Sequence, residues 1–124
     1  GRRQLPRGAS SPASGRRQIT VRIRGENVPV VLSGKDEYRI GRADDGTGAP
    51  SDLDLSKYRG LELGVSRHHA VLRRSHEGVT IVDQHSTNGS ALNGKRLVPD
   101  QPYTLTSGDE LRLGKLVMRV YFEA

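Results

Sequence analysis

Residues 66–89 read SRHHAVLRRSHEGVTIVDQHSTNG, and they indicate both the architecture of the chain and the place of a site. Two short apolar runs in this stretch predict strands at residues 69–73 and 79–83. A polar motif at 66–69 opens the first run, and another at 86–89 follows the second, so both lie where strands meet loops. Binding residues concentrate on loops that a rigid scaffold positions. The stretch therefore predicts a β protein whose loops form a binding site.

The rest of the chain continues this alternation of short strands and turns. Ile19, Val21 and Ile23 alternate with polar residues, which is the period-two pattern of a half-buried strand. Turn signals recur about every 8–12 residues, and no helical periodicity appears. We therefore predict an all-β fold, a two-sheet β-sandwich of about 10–11 mostly antiparallel strands with the binding loops at one end. The predicted strands cover residues 19–23, 28–32, 37–40, 53–55, 69–73, 79–83, 90–92, 96–98, 103–105, 110–113 and 116–122.

The positive charge of the chain is concentrated near its first residues. The sequence carries 20 Lys or Arg against 14 Asp or Glu, for a formal net charge of +6. Residues 1–17 contain five Arg and no acid, so residues 18–124 hold 15 basic against 14 acidic side chains. The first segment is also rich in Gly and Ser. We therefore predict a basic, flexible tail or linker at residues 1–17 and one domain at residues 18–124.

Composition excludes several kinds of protein. The chain has no cysteine, so disulfides and thiolate metal sites are ruled out. No apolar run approaches the ~20 residues of a membrane-spanning helix, and no signal-peptide core is present. We expect a cytoplasmic protein that does not interact with membranes.

Three short motifs supply the donor groups that a phosphate receptor needs. They are, in chain order, Gly41-Arg42, Ser66-Arg67-His68-His69 and Ser86-Thr87-Asn88-Gly89. A cluster of anionic oxygens requires N–H and O–H donors held in place, and the guanidinium fork of arginine suits it best. No side chain in these motifs pairs as an obvious nucleophile with its base. The motifs therefore indicate recognition rather than catalysis.

Together, these motifs resemble those of the forkhead-associated (FHA) domain, a β-sandwich module that binds phosphothreonine in peptides. The resemblance extends from about Ile19 to Phe122, and the chain is most similar in character to bacterial members of the family. It implies a module that recruits its parent protein to partners phosphorylated by a Ser/Thr kinase, without enzymatic activity or a cofactor. The residues that carry it are Ile40-Gly41-Arg42, residues 65–70, residues 83–89, Leu92-Asn93-Gly94 and residues 107–111.

The resemblance also implies a role for each motif residue. Arg42, Ser66 and Arg67 are expected to hold the phosphate, which carries about −1.5 to −2 charge near pH 7. Thr87 is expected to support the pocket, and Asn88 to pair its amide with peptide backbone. The loops are expected to be shaped by His69, by Gly89, and by Gly41, whose lack of a side chain would permit a sharp loop.

The long loop between the first two motifs is expected to contribute to peptide specificity. Lys57, Arg59, Glu62 and Gly64 are candidates for reading residues that follow the phosphothreonine. Positive charge there would favour an acidic residue in the peptide. Thr47, in the same loop, is a candidate for a modified threonine that another copy of the chain would bind.

Three other sites fit the sequence less well. A metal site built from the four histidines is disfavoured for two reasons. Adjacent histidines in a strand point to opposite faces, and no third ligand lies at a familiar interval. Aspartates at 44, 45, 52 and 54 lack the spacing of a known calcium loop. A Ser66–His69–Asp83 triad is formally possible, although nothing resembles a nucleophile elbow.

Two alternative functions also follow from the sequence. The first is a protein-interaction β-sandwich that does not depend on phosphorylation. The second is nucleic-acid binding through the Arg-rich tail, which the near-neutral body and the scarcity of aromatic residues disfavour.

Overall fold

The computed structural model describes residues 18–43 and 51–123. The predicted tail at residues 1–17, most of the loop that contains Thr47, and Ala124 lie outside these residues. Within them the chain forms eleven strands and a 3-10 helix at Leu55–Tyr58. The strands are β1 Ile19–Ile23, β2 Val30–Leu32, β3 Glu37–Gly41, β4 Leu53–Asp54, β5 His68–Ser75, β6 Gly78–Asp83, β7 Ser90–Leu92, β8 Lys95–Arg96, β9 Tyr103–Thr104, β10 Asp109–Leu113 and β11 Leu116–Phe122.

The strands form two sheets that pack face to face. One sheet has six strands in the order β2-β1-β11-β10-β7-β8, and the other has five in the order β4-β3-β5-β6-β9. Among the described pairs, β3 with β4 is parallel and the others are antiparallel. The predicted two-sheet, mostly antiparallel β-sandwich is confirmed.

A single apolar cluster fills the space between the sheets. The six-stranded sheet contributes alternate residues such as Val21, Leu111 and Val120, which have no exposed surface. The other sheet contributes Leu72 and Ile81, which are equally buried. Inward side chains alternate with outward polar ones because successive strand residues face opposite sides. Burial of this cluster is the main force that holds the two sheets together.

Several predicted strand limits were wrong. The second strand begins at Val30, two residues after the predicted start, and β8 covers Lys95–Arg96 instead of residues 96–98. Leu53 and Leu55 alternate with aspartates and predicted a strand at 53–55, but β4 ends at Asp54. The chain then turns into the 3-10 helix because the Asp54 side chain accepts a hydrogen bond from the backbone N–H of Ser56, which caps the helix.

Within residues 18–43 and 51–123, no helix has the length and apolar content needed to cross a membrane.

Candidate functional site

His69 joins the two loops that carry the second and third motifs. It is the second residue of β5 and has no exposed surface. Its Nδ1 accepts a hydrogen bond from the backbone N–H of Ser66 at 3.0 Å, and its Nε2 lies 3.0 Å from the carbonyl oxygen of Gly89. The first contact requires an unprotonated Nδ1, so Nε2 carries the proton and donates to Gly89. The imidazole therefore ties both loops together as a neutral ring.

Burial lowers the pKa of His69 below its ordinary value, although the hydrogen bond to Gly89 and the charge of Asp83 act in the opposite direction. The neutral ring is the form that these hydrogen bonds require. The same burial that fixes the loops therefore also keeps the ring unprotonated.

Ser66 and Thr87 meet across the two loops. The backbone N–H of Thr87 donates to the hydroxyl oxygen of Ser66 at 3.0 Å. A hydroxyl has one proton to donate and two acceptor sites, so this bond occupies an acceptor site. The proton of the Ser66 hydroxyl is thus available to an anionic oxygen. Ser66 is partly buried and Thr87 is exposed, so the contact lies at the protein surface.

The backbones of the two arginines of the predicted phosphate site are hydrogen-bonded to each other. The backbone N–H of Arg42 donates to the carbonyl oxygen of Arg67 at 3.1 Å. The side-chain Nε of Arg42 donates to the carbonyl oxygen of Val65 at 2.6 Å, so this guanidinium lies against the loop that carries Ser66. Asp54 holds the chain immediately after Arg42, since its carboxylate accepts the backbone N–H of Ala43.

Asn88 is held by Gly64, which lies two residues before Ser66. Its Nδ2 donates to the carbonyl oxygen of Gly64 at 3.0 Å. One amide proton is used in this bond, and the Oδ1 acceptor and the second proton remain for other partners. A Cβ added at Gly64 would lie 2.6 Å from this Nδ2, and the backbone φ of Gly64 is +83°. The structure therefore gives Gly64, a predicted specificity residue, a place in the positioning of Asn88.

Gly41 is required for a reason that differs from the predicted one. The backbone φ of Gly41 is not positive, so the loop does not require a left-handed conformation at this residue. A Cβ at Gly41 would instead overlap the carbonyl oxygen of Arg67. A register shift between Ile40 and Gly41 brings β3 this close to the start of β5. Gly41 thus permits a close approach of two backbones.

Gly114 belongs to the same network, and the sequence motifs did not identify it. It lies in the turn between β10 and β11, with φ +63°. Its backbone N–H donates to the carbonyl oxygen of Gly89 at 2.9 Å. A Cβ there would lie 2.6 Å from the carbonyl oxygen of Leu63 and 2.7 Å from that of Gly64. Glycine in a turn is a weak sequence signal, and its long-range contacts appear in the folded chain.

Asp83 supports the third motif from beneath. It is buried at the end of β6, and its carboxylate accepts hydrogen bonds from the hydroxyls of Ser86 and Ser90. Burial would raise the pKa of Asp83, but the hydrogen bonds from Ser86 and Ser90 outweigh it, so the pKa is lowered. Since Ser90 opens β7, this carboxylate also connects the two sheets.

The remaining specificity candidates lie in and after the 3-10 helix. Lys57 is within the helix and exposed. Arg59 follows the helix and forms an ion pair with Glu62. The distance from Nε to Oε1 is 3.1 Å, and the distance from Nη2 to Oε2 is 2.6 Å. The attraction of Arg59 for an acidic peptide residue is therefore reduced, because Glu62 already balances its charge.

The contacts of the site also bear on the other assignments. A Ser66–His69–Asp83 triad does not form, because both ring nitrogens of His69 contact backbone groups and Asp83 accepts from serines. In the part of the chain that the structure describes, no three His, Asp or Glu side chains are grouped as metal ligands. Asp52 accepts from Lys35 and from the Arg39 backbone, and Asp54 caps the 3-10 helix.

The family of the chain follows from its match to a known domain. The FHA domain family model matches residues 38–114, which include all three motifs and the turn at Gly114. The chain belongs to the FHA domain family. The FHA domain is a binding module, and its matched segment contains every loop described above.

Known proteins similar to this FHA domain include animal and bacterial examples. E3 ubiquitin-protein ligase RNF8 of Rattus norvegicus is 47% identical over 53 residues, which cover 42% of this chain and 11% of that protein. Protein FraH of Nostoc sp. is 37% identical over 89 residues, which cover 72% of this chain and 27% of that protein. The chain thus matches about a tenth to a quarter of these relatives.

The fold has solved counterparts. A structure from a study of phosphothreonine-dependent FHA domain interactions matches with a TM-score of 0.67 and 26% identity. The match covers 86% of this chain and 98% of that chain. The two chains therefore share the sandwich along almost the whole of the solved domain.

Proposed function

We propose that this FHA domain binds phosphothreonine peptides and recruits its parent protein to partners phosphorylated by Ser/Thr kinases. The observation that carries the proposal is the contact between Ser66 and Thr87. Because the Ser66 hydroxyl oxygen accepts the Thr87 N–H, its own proton can be donated to an anionic oxygen between the motif loops. Membership in the FHA family and the similarity to a domain studied for phosphothreonine-dependent interactions support the same ligand.

The phosphate is held by Arg42, Ser66 and Arg67. The guanidinium groups supply positive charge and paired N–H donors, and the serine supplies an O–H donor. Charge-assisted hydrogen bonds of this kind contribute about 1.5–3 kcal/mol each, which is enough to make binding depend on the phosphate.

The peptide around the phosphate is oriented by Thr87 and Asn88. The Asn88 amide has a proton and an acceptor left after its bond to Gly64, so it can pair with peptide N–H and C=O groups. Gly41, His69 and Gly89 hold the loops in the required shape. Lys57, Arg59, Glu62 and Gly64 contribute to selection of the residues after the phosphothreonine.

The domain itself comprises residues 18–124 and needs no catalytic activity for this role. We also propose that the domain acts in the cytoplasm, together with the Ser/Thr kinases whose products it binds. Its partners are the kinases or their substrates.

The test compares matched peptides that contain threonine or phosphothreonine, by isothermal titration calorimetry. Binding of the phosphorylated peptide alone supports the proposal. Arg42→Ala should then weaken binding by about 2–5 kcal/mol, because a charged hydrogen-bonding partner of the phosphate is removed. Arg39→Ala removes an exposed arginine from β3, the strand that ends immediately before Arg42, and serves as the control, with unchanged affinity.

Two outcomes contradict the proposal. Equal binding of both peptides would establish an interaction that does not depend on phosphorylation. Unchanged affinity in Arg42→Ala, with the fold intact by circular dichroism, would mean that the phosphate lies elsewhere.

A further inference from the structure

The outer face of the six-stranded sheet contains a basic pocket next to Asn88. Its volume is about 340 Å³, and Asn88 and Gly89 form one side of it. Four cationic side chains line it, and its lining includes no acidic residue. These residues, which we call the basic pocket, are Arg24, Arg96, Arg112 and Lys115.

The strand register sets three of these cations in one row. Arg96 pairs with Ala91, Ala91 with Arg112, and Arg112 with Val117. The backbone N–H of Arg24, the residue that follows β1, donates to the carbonyl oxygen of Val117 at 2.9 Å and so continues the row. Neighbouring strands are ~4.8 Å apart, so the row from Arg96 to Arg24 spans about 19 Å. An extended peptide of about six residues has this length.

The charge of the row is poorly balanced by the protein itself. Glu110 lies 3.9 Å from Arg24, at the margin of an ion pair, and also approaches Arg119 at 3.5 Å. In the described part of the chain, no acidic side chain lies within 4 Å of the charged groups of Arg96, Arg112 or Lys115. Like charges held close together on one face favour an anionic ligand.

The pocket is built into the scaffold of the phosphate site. A Cβ at Gly89 would lie 2.6 Å from Nη2 of Arg96, so this guanidinium packs directly on the motif loop. Ala91 faces outward between two arginines and yet is 5% exposed. The backbone N–H of Lys115 donates to the carbonyl oxygen of Leu63 at 2.7 Å, in the loop that holds Asn88. The pocket and the phosphate site therefore share their loops.

We propose that the basic pocket is a second anion subsite, which binds a further acidic or phosphorylated side chain of the same partner segment. The inference rests on the proposed function, because the phosphothreonine places the segment beside Asn88. Phosphate and carboxylate groups share the oxygen chemistry that arginine recognises. A nucleic acid is disfavoured, since the pocket lining contains no aromatic side chain on which bases would stack.

The test uses phosphothreonine peptides with alanine flanks, in which a block of three glutamates is moved through the six residues on either side. A second series replaces the block with one phosphoserine, which separates phosphate from carboxylate as the ligand. Affinity is measured by fluorescence anisotropy at low and physiological salt. At the best position we expect the acidic block to raise the affinity about fivefold or more at low salt, as several exposed ion pairs would.

The variant Arg24→Gln/Arg112→Gln should abolish this gain and leave the affinity for the alanine-flanked peptide unchanged. Arg39→Gln/Arg73→Gln removes the same charge from the outer face of the other sheet and should keep the gain. Using both variants separates a local subsite from attraction to the net charge of the chain.

The inference and the proposed function fail in different ways. If the alanine-flanked phosphothreonine peptide binds but no acidic position adds affinity, or if the gain survives in Arg24→Gln/Arg112→Gln, the second subsite is wrong and the proposed function stands. If phosphorylation of that peptide has no effect on binding, both are wrong. A single-stranded DNA that binds through the same two arginines, without any gain from acidic blocks, would make the pocket a nucleic-acid site.

Discussion

Several motif side chains hold protein backbone in addition to the role that we propose for them in ligand binding. Ser66 accepts from Thr87, Asn88 donates to Gly64, and Arg42 donates to Val65. Each bond spends part of the side chain's hydrogen-bonding capacity and restricts its rotamers. The groups that remain are then fixed in direction before a ligand arrives, which reduces the entropy lost on binding.

The neutral ring of His69 makes stability depend on pH. Burial lowers its pKa from 6.5 in the folded protein, so below that pH the unfolded chain binds a proton that the folded chain does not. The contribution of this group to the free energy of unfolding should therefore be unchanged well above pH 6.5 and be lost as the pH falls through that value, by at most ~1.4 kcal/mol per pH unit. Urea unfolding at pH 7 and pH 5 measures the difference.

His69→Gln is the matched variant, because glutamine offers a donor and an acceptor but does not titrate. It should be less stable at pH 7 and lose most of the difference between pH 7 and pH 5. An NMR titration of the His69 ring in the unmodified protein gives an independent measurement. A His69 pKa at or above 6.5 in that titration would contradict the explanation. The lowered pKa of Asp83 acts in a separate pH range. It stabilises the folded protein above about pH 4, and this stabilisation is lost as the pH falls below that value.

At the scale of elements, the sequence predicted what depends on local pattern. The alternation of Ile19, Val21 and Ile23 was sufficient for β1, because one face of that strand is buried and the other is not. The 3-10 helix was missed because four residues are too few to show a helical period. Its start depends on the Asp54 cap, which a strand pattern of alternating Leu and Asp conceals.

The candidate site divides in the same way. The motifs predicted which residues carry donors, because the donors are side chains with specific chemistry. They did not reveal why Gly41 is a glycine, since the carbonyl of Arg67 that excludes a side chain lies 26 residues away in the sequence. Gly114 is a similar case. Contacts between distant backbones depend on strand register, which the sequence of one segment does not determine.

The turn between β10 and β11 should therefore matter for both stability and binding. Gly114→Ala introduces a Cβ against two backbone carbonyls in the loop that positions Asn88. We expect a loss of about 1–3 kcal/mol in the free energy of unfolding. The affinity for a phosphothreonine peptide should fall as well, because the displaced loop carries the Gly64 carbonyl. Thermal unfolding and calorimetry measure the two effects.

Gly94→Ala is the control for backbone strain. Gly94 also has a positive φ, +86°, but a Cβ there would meet nothing within 4 Å. It should cost about 1–2 kcal/mol from the left-handed conformation and leave the peptide affinity unchanged. If Gly114→Ala binds the peptide as tightly as Gly94→Ala does, the β10–β11 turn has no part in shaping the site.

In the whole molecule, most of the net positive charge lies outside the part of the chain that forms the sandwich. The described strands of the sandwich lie between Ile19 and Phe122. Acidic and basic residues nearly balance in residues 18–124, and five arginines lie in residues 1–17. The basic pocket shows that a near-neutral domain can still concentrate positive charge on one face. The positions of the arginines therefore predict where the chain would bind an anion better than its net charge does.

Deleting residues 1–17 tests this separation. Removing five arginines leaves a formal charge of +1, so non-specific binding to DNA should weaken and its salt dependence should decrease, because fewer counterions are released. The unfolding temperature and the affinity for an alanine-flanked phosphothreonine peptide should not change, since the core and every proposed contact lie in residues 18–124. Differential scanning calorimetry and anisotropy titrations over a salt series measure these quantities. A lower unfolding temperature would mean that the first 17 residues belong to the folded domain, and a weaker phosphothreonine affinity at physiological salt would place part of the ligand contact there.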